Sequence, residues 1–207
     1  MDDYYVLSSP GEGEYIDRKS RFIGHAMPVS SESEAAVLTD QIKRKYWDAR
    51  HNCYAFVTGE NGVISRSSDD GEPSGTAGRP ILDCINGAGL RDALVVVTRY
   101  FGGTLLGTGG LVRAYTQAAN AAIKAAGICH MRHGSRIDIT AEYNIAEKIR
   151  RTLETQNIRI DDAVYTDKVN MTLTVSDDDA GSLLDIVTRV SSGQAAVRIA
   201  DSGYYAI

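Results

Sequence analysis

Glycine and arginine residues are concentrated in one segment of the chain, and their chemistry suits the binding of a phosphate group. Five glycines lie within residues 102–110, which read GGTLLGTGG. Glycine permits positive φ angles and close approach of a ligand to the backbone. Arg99 precedes the segment and Arg113 follows it, and a guanidinium can bind a phosphate through two parallel hydrogen bonds. The pattern predicts an anion site, although a tightly packed structural loop would use the same glycines.

The candidate site extends to arginine and aromatic residues at the ends of other predicted elements. Arginines beside aromatic rings are typical of surfaces that contact phosphate groups or protein partners. We expect five arginines to share one face with residues 102–110, with Arg99 exposed and Gly109 at a positive φ. A solvated charge is the alternative for each arginine, and a core position is the alternative for Tyr100 and Phe101. The residues assigned to RNA or phosphate binding are Arg50, His51, Arg66, Arg79, Arg99, Tyr100, Phe101, Gly102, Gly103, Gly107, Gly109, Gly110 and Arg113.

Known catalytic motifs do not account for these residues. Residues 102–110 lack the Gly-Lys-Ser/Thr of a Walker A motif and the G-x-G-x-x-G spacing of a dinucleotide site. His51 and Cys53 would share one strand face, but a Cys–His nucleophile needs an orienting third group that the sequence does not identify. We interpret Cys53 as a buried small side chain and assign no catalytic residue.

Metal ligands are also not indicated by the spacing of histidines and acids. His130 and His133 have no third or fourth ligand at a matching distance along the chain. Asp69, Asp70 and Glu72 could hold a hard cation, but the glycines around them favour a solvated loop. We therefore predict neither a metal site nor a cofactor.

The predicted strands and helices around these residues must position them. Residues 94–98 are apolar and largely β-branched, which predicts a buried strand, and residues 52–58 predict another. Residues 111–126 are alanine-rich and predict a helix. An Asn-Gly turn is predicted at residues 60–62. The polar loop at 67–78 is too long and glycine-rich for a simple connection, which indicates a functional or mobile loop.

The hydrophobic pattern changes after Gly127. Residues 129–134 read as a linker. Residues 135–207 predict the element order β-α-β-β-α-β, which is typical of a ferredoxin-like domain. The chain is therefore expected to have an α+β fold with two domains.

Composition limits the class of protein. The chain has 207 residues, is 43% hydrophobic and carries a formal net charge of -5, which argues against a general nucleic-acid coat protein. Its three cysteines are widely spaced and suggest no disulfide framework. We find neither an apolar signal segment at the N-terminus nor a run long enough to span a membrane, and we expect a cytoplasmic protein.

Four long motifs, in this order along the chain, resemble those of a known family. The chain closely resembles the bacterial YigZ-like proteins of the IMPACT family over residues 1 to about 130, and its remainder is similar to the usual C-terminal domain of bacterial members. The motifs are KSRFI at 19–23, DARHNCYA at 48–55, DDGEPSGTAGRP at 69–80 and RYFGGTLLGTGGLVRAY at 99–115.

The resemblance implies a fold for each part of the chain. Residues 1–130 would form a ribosomal protein S5 domain 2-like domain, a fold shared with domain IV of elongation factor G. Residues 135–207 would form a ferredoxin-like domain similar to the last domain of that factor. Eukaryotic relatives regulate translation by competing for an activator of a starvation-sensing kinase, and they associate with ribosomes. That role uses an additional N-terminal domain, so the partner is not carried over, and the resemblance implies no established reaction.

Two functions from different classes are compatible with these features. The first, which we favour, is a cytosolic non-enzymatic binding protein that associates with ribosomes or RNA and has a role in regulating translation. A protein partner of the N-terminal domain is a further option within this class. The alternative is an enzyme that binds a nucleotide phosphate through residues 102–110. The sequence leaves the oligomeric state open.

Overall fold

A computed structural model describes residues 3–59 and 62–207, so the turn predicted at residues 60–62 lies outside the described residues apart from Gly62. The chain divides into two compact units, one of residues 4–129 and one formed mainly by residues 130–207. Both units combine helices with antiparallel sheets, which confirms the α+β class.

The N-terminal unit is built on a five-stranded antiparallel sheet with the order β2–β3–β6–β4–β5. The central strand β6 is buried over nearly its whole length, as its apolar sequence predicts. The elements of this unit are β1 (Tyr4–Leu7), β2 (Gly11–Asp17), β3 (Ser20–Pro28), α1 (Glu32–Lys45), β4 (His51–Thr58), β5 (Ile64–Ser68), α2 (Gly78–Gly87), β6 (Ala93–Tyr100) and α3 (Gly107–Ala126).

Helices cover both faces of this sheet. Side chains of β6 alternate between them, because successive residues of a strand point to opposite faces. Val95 and Val97 join the core shared with α2 and α3, whereas Leu94 and Val96 join the core shared with α1.

The alanine-rich helix α3 lies unusually close to the sheet. A Cβ at Gly24 of β3 would come within 2.4 Å of the Ala118 carbonyl oxygen of α3. Ala114, Ala118 and Ala122 are fully buried on the helix. Small side chains on both elements allow this approach, which packs α3 directly against the sheet.

The second unit has the ferredoxin-like topology predicted from the sequence. Within residues 130–207 the strand order is β10–β7–β9–β8 and all pairs are antiparallel. Helices α4 and α5 contribute Ile149, Leu153, Leu183 and Val187 to its core. The elements are β7 (Ile128–Ala141), α4 (Tyr143–Thr155), β8 (Asp162–Tyr165), β9 (Val169–Ser176), α5 (Asp177–Ser191) and β10 (Ala196–Ala206).

The predicted linker at residues 129–134 is wrong. These residues belong to β7, and Met131 to Gly134 pair with Ala206 to Gly203 of β10. Gly134 suggested a break in the chain, but its missing side chain serves a close approach: a Cβ there would meet the Val175 carbonyl oxygen at 2.2 Å. Whether the two units fold separately stays a prediction.

Candidate functional site

Several predicted residues meet at one end of the N-terminal sheet. Strand β4 begins at His51, and His51 is directly opposite Arg99 near the end of β6. A cleft of about 630 Å³ opens at this end of the sheet. It is lined by Asp48, Arg50, His51, Arg99, Tyr100, Phe101 and Leu105.

Arg99 is a buried and fixed part of this cleft. Its side chain is only 8% exposed, and its Nη1 donates to Glu72 Oε1 at 2.6 Å. The guanidinium lies over the rings of Phe22 and Phe101, at 5.4 and 5.6 Å from their centroids. The expectation that Arg99 is exposed is therefore wrong. Its Nε is buried and has no hydrogen-bond partner among the described residues.

Glu72 joins Arg99 to the core. Glu72 Oε1 also accepts from the Tyr115 hydroxyl at 2.9 Å, and the Glu72 side chain is 3% exposed. The Cys53 thiol lies 3.4 Å from the same hydroxyl. Burial raises the pKa of Tyr115 and raises that of Cys53 to about 12, so this thiol is protonated at neutral pH. Cys53 is buried as expected, whereas the pairing of Glu72 with Arg99 and Tyr115 is a feature that sequence reasoning missed.

The acids of the 69–78 loop hold its backbone. Asp69 accepts hydrogen bonds from the backbone N–H groups of Gly75, Ala77 and Gly78 at 2.8 to 2.9 Å. Partial burial would raise the pKa of Asp69, but these backbone donors outweigh it and leave that pKa below its ordinary value. The loop is thus internally braced, although Gly71, Pro73, Ser74 and Gly75 are exposed as a solvated loop requires.

Asp70 and His51 attach the same loop to β4. Asp70 accepts from the Asn52 N–H at 2.7 Å and pairs with Lys43 at 3.0 Å. His51 Nδ1 lies 2.9 Å from the Asp70 carbonyl oxygen, and since a carbonyl only accepts, this nitrogen donates. His51 is consequently held in one tautomer and orientation at the cleft wall.

Exposed aromatic and apolar groups surround the cleft. Phe101 is 55% exposed and Leu105 is 81% exposed, so the core alternative for Phe101 is wrong. The Tyr100 hydroxyl donates a hydrogen bond to Asp48 at 2.7 Å. This hydrogen bond is the main reason that the pKa of Tyr100 is raised. Trp47, next to Asp48 in sequence, is 83% exposed.

The glycines of residues 102–110 have different physical roles. A Cβ on Gly102 would lie 2.1 Å from the Lys19 carbonyl carbon, so this glycine allows two backbones to touch. Gly103 and Gly107 take positive φ angles of 85° and 71°. Gly109 and Gly110 belong to the first turn of α3, which begins at Gly107, and neither has a positive φ. The expectation of a positive φ at Gly109 is wrong.

Arg66 lies on the other face of the sheet. It is in register with Phe56, which packs in the core on the α1 side. Arg99 follows Val97 by two residues and therefore faces α2 and α3. Arg66 pairs instead with Glu32 at 3.3 Å. The five arginines do not all share one face.

Arg79 and Arg113 are exposed and hold acidic neighbours. Arg79 Nε lies 2.8 Å from Asp83 within α2, and Arg113 Nη2 lies 3.3 Å from Asp17 at the end of β2. Neither lines the cleft, although Arg113 is on the helix that begins beside it. Contact of the candidate residues with RNA stays a prediction.

Two cations near the cleft were not identified from the sequence. Arg18 and Lys19 form the two-residue turn between β2 and β3, with φ angles of 45° and 67°. Both are exposed, and Arg18 Nη1 donates to the Leu105 carbonyl oxygen at 3.5 Å. A two-residue connection between two segments of alternating polarity is typical of a β-hairpin, and this signal could have placed Arg18 and Lys19 in a turn.

These observations define a mixed α+β protein whose first unit presents a cationic and aromatic cleft and whose second unit is ferredoxin-like. Comparisons with known proteins agree with this architecture. Residues 18–123 match the Impact N-terminal domain, and residues 139–194 match a domain of unknown function (DUF1949). The chain belongs to the IMPACT family.

Individual relatives extend the match over the whole chain. The chain is 34% identical over 204 residues to the IMPACT family member YvyE of Bacillus subtilis (strain 168), covering 99% of this chain and 94% of that protein. It is 42% identical over 126 residues to the IMPACT family member YigZ of Escherichia coli (strain K12), covering 60% and 62% respectively. A crystal structure described as that of a hypothetical protein superposes with a TM-score of 0.61 at 28% identity, covering 97% of this chain and 98% of that one.

Metal-ligating and membrane-spanning features were sought in the same parts of the chain. Across residues 3–59 and 62–207, no three histidine, cysteine or acidic side chains group as metal ligands would. No helix within those ranges is long and apolar enough to cross a membrane. The prediction that the protein needs no metal or cofactor stays a prediction.

Proposed function

We propose that this chain is a cytosolic, non-enzymatic RNA-binding protein that associates with ribosomes and has a role in regulating translation. The observation that carries the proposal is the cleft at the end of the N-terminal sheet, where arginines and an exposed phenyl ring lie on one surface. The resemblance to relatives that act in translation agrees with it. The family itself assigns no reaction to this cleft.

The charges around the cleft favour a polyanionic ligand. Arg50 is exposed, lines the cleft and forms no ion pair with any described residue. Arg18 and Lys19 add two exposed cations at the neighbouring turn. Among the described residues that line the cleft, Asp48 is the one acid, and it already accepts a hydrogen bond from Tyr100. A phosphate backbone would meet cations with few competing carboxylates.

The polar groups beside the cleft are arranged for structure rather than for nucleophilic chemistry. Cys53 Sγ donates to the Asp69 carbonyl oxygen at 3.0 Å, and His51 donates to that of Asp70. The two side chains therefore brace the same loop and do not bond to each other. This supports a binding role for the cleft over a catalytic one.

A nucleotide-phosphate enzyme is the second candidate, and one observation favours it. Helix α3 begins at Gly107 with no acidic residue in its first turn and no side-chain cap. Backbone N–H groups at such a helix start can bind a phosphate. Thermal stabilisation by nucleoside triphosphates, without binding of RNA, would move this candidate to first place.

Replacing Arg50 by alanine is expected to weaken RNA binding several-fold at low salt and to reduce the salt dependence. One lost phosphate contact removes one counterion-release contribution, so the slope of log affinity against log salt should fall by about 1. The measurement is a salt titration of RNA affinity. Arg66→Ala on the opposite face and Arg189→Ala in the other unit are matched exposed-arginine controls, and both should retain the wild-type slope.

Two results would contradict the proposal. One is an unchanged affinity and slope in Arg50→Ala, or a loss in Arg66→Ala as large as the loss in Arg50→Ala. The other is a wild-type protein that binds no RNA at low salt and does not cosediment with ribosomes. Repeating the cosedimentation after RNase treatment separates binding through RNA from binding through ribosomal proteins.

A further inference from the structure

Phe101 presents a fixed aromatic face to solvent. The Arg99 guanidinium lies over the Phe101 ring and over the ring of the fully buried Phe22, at 5.6 and 5.4 Å from their centroids, and Glu72 pairs with the guanidinium in turn. The backbone beside Phe101 is held as well, because Gly102 N–H donates to the Ser20 hydroxyl at 3.1 Å. The Phe101 ring is 55% exposed and contacts the Arg99 guanidinium, so it offers a preformed stacking surface.

Arg99, one of the residues that line the cleft, carries a buried hydrogen-bond donor that the described residues do not satisfy. Arg99 Nε is buried and has no partner, while the rest of this side chain is more than nine-tenths buried. An unsatisfied buried donor lowers the stability of the folded protein. Arg99 is nonetheless held at the cleft wall by Glu72 and by the rings of Phe22 and Phe101.

The size of the cleft selects the form of the ligand. A volume of about 630 Å³ suits a group of small-molecule size rather than a double helix. Within a duplex the bases stack on each other and offer no free face to an aromatic ring. Unpaired bases can stack on aromatic side chains, and they do so with little preference for sequence.

We propose that the cleft holds one unpaired nucleotide of single-stranded RNA, with its base stacked on Phe101 and its phosphate at Arg50. This inference rests on the proposed RNA-binding function and specifies which RNA the site takes. Trp47, which is 83% exposed and adjacent in sequence to the cleft residue Asp48, is the aromatic residue that we assign to a neighbouring base.

The test compares a fluorescently labelled oligouridine with an RNA duplex of the same length. Wild-type protein should bind the single strand more tightly at the same salt concentration. Phe101→Ala should weaken single-strand binding by about 5-fold to 150-fold, the range for loss of one base–aromatic stack, and change duplex binding little. Phe101→Trp should retain the affinity, and Phe101→Leu, which keeps an apolar group, should not.

Controls separate this inference from the function on which it rests. Tyr165→Ala removes a ring that is 60% exposed in the other unit and should bind like wild type. Thermal unfolding of each variant checks that the fold is retained. Equal affinity for single strand and duplex, unchanged by Phe101→Ala but lowered by Arg50→Ala, would overturn the nucleotide proposal and leave RNA binding intact.

Two other outcomes would also overturn the inference. Absence of any RNA binding would remove both proposals. RNase-resistant ribosome binding that is lost in Phe101→Ala, with oligouridine affinity unchanged, would assign the exposed ring to a protein partner.

Discussion

Replacing Arg99 by alanine is expected to lower the free energy of unfolding by about 3–5 kcal/mol. The substitution leaves the Glu72 carboxylate, whose side chain is 3% exposed, without its charged partner and with only the Tyr115 hydroxyl as a donor. It also removes the guanidinium that lies over the rings of Phe22 and Phe101. Urea-induced unfolding followed by circular dichroism measures the change. Arg50→Ala is the exposed-arginine control and should alter stability by no more than about 0.5 kcal/mol.

A double variant distinguishes the lost charge pair from lost packing. Arg99→Met combined with Glu72→Leu replaces the buried pair by apolar groups, an exchange that is often close to neutral for stability. We expect the double variant to be more stable than Arg99→Ala. A loss below about 1 kcal/mol in Arg99→Ala would show that Glu72 is not confined as the structure describes.

Replacing Gly102 by alanine is expected to cost about 2–3 kcal/mol of stability and to weaken RNA binding. The new Cβ would lie 2.1 Å from the Lys19 carbonyl carbon and 2.2 Å from the Ser20 nitrogen. Both atoms are backbone, so the strand or the loop must move. Because Gly102 adjoins Phe101, that movement displaces the exposed ring. The unfolding free energy and the oligouridine affinity are the two measurements.

Gly109→Ala provides the matched control in the same segment. Gly109 lies in α3 with no positive φ, and a Cβ there meets no atom within 4 Å. Alanine in a helix is more stable than glycine by about 0.5–1 kcal/mol, so stability should rise. If Gly102→Ala were as stable as Gly109→Ala, the close approach of Gly102 to the β2–β3 turn would not exclude a side chain at this position.

Periodic patterns in the sequence predicted much of the fold, because each pattern is local. The apolar run Leu94–Val97 predicted a buried strand, and α3 followed from its alanine content. The strand and helix order after Gly127 predicted the ferredoxin-like unit. The predicted start of α3 was wrong, since the helix begins at Gly107 rather than at Leu111. Glycines in its first turn do not reveal whether they are helical.

The side-chain arrangement of the site could be predicted only in part. Arg99, Tyr100 and Phe101 were identified because they precede a glycine-rich segment. The pairing of Arg99 with Glu72 joins residues far apart in sequence, and no periodicity indicates it. The position of Arg66 depends on the register of β5 against β4, which a short and polar strand does not specify.

Glycines were the most ambiguous signal in this chain. Gly134 and Gly102 each allow one backbone to approach another, whereas Gly103 and Gly107 supply positive φ angles. The sequence presents all four in the same way. Only the positions of neighbouring strands separate a close approach from a turn.

Photochemical cross-linking of thiouridine-substituted single-stranded RNA tests the central claim most directly. Irradiation of the wild-type complex at low salt, followed by digestion and mass spectrometry, identifies the peptide joined to the RNA. We expect the cross-links to fall on the peptide that carries Tyr100 and Phe101, and to be lost in Phe101→Ala while the folded state is retained. Cross-links confined to residues 130–207, or none at all under conditions where the RNA is bound, would contradict the assignment of RNA to this cleft.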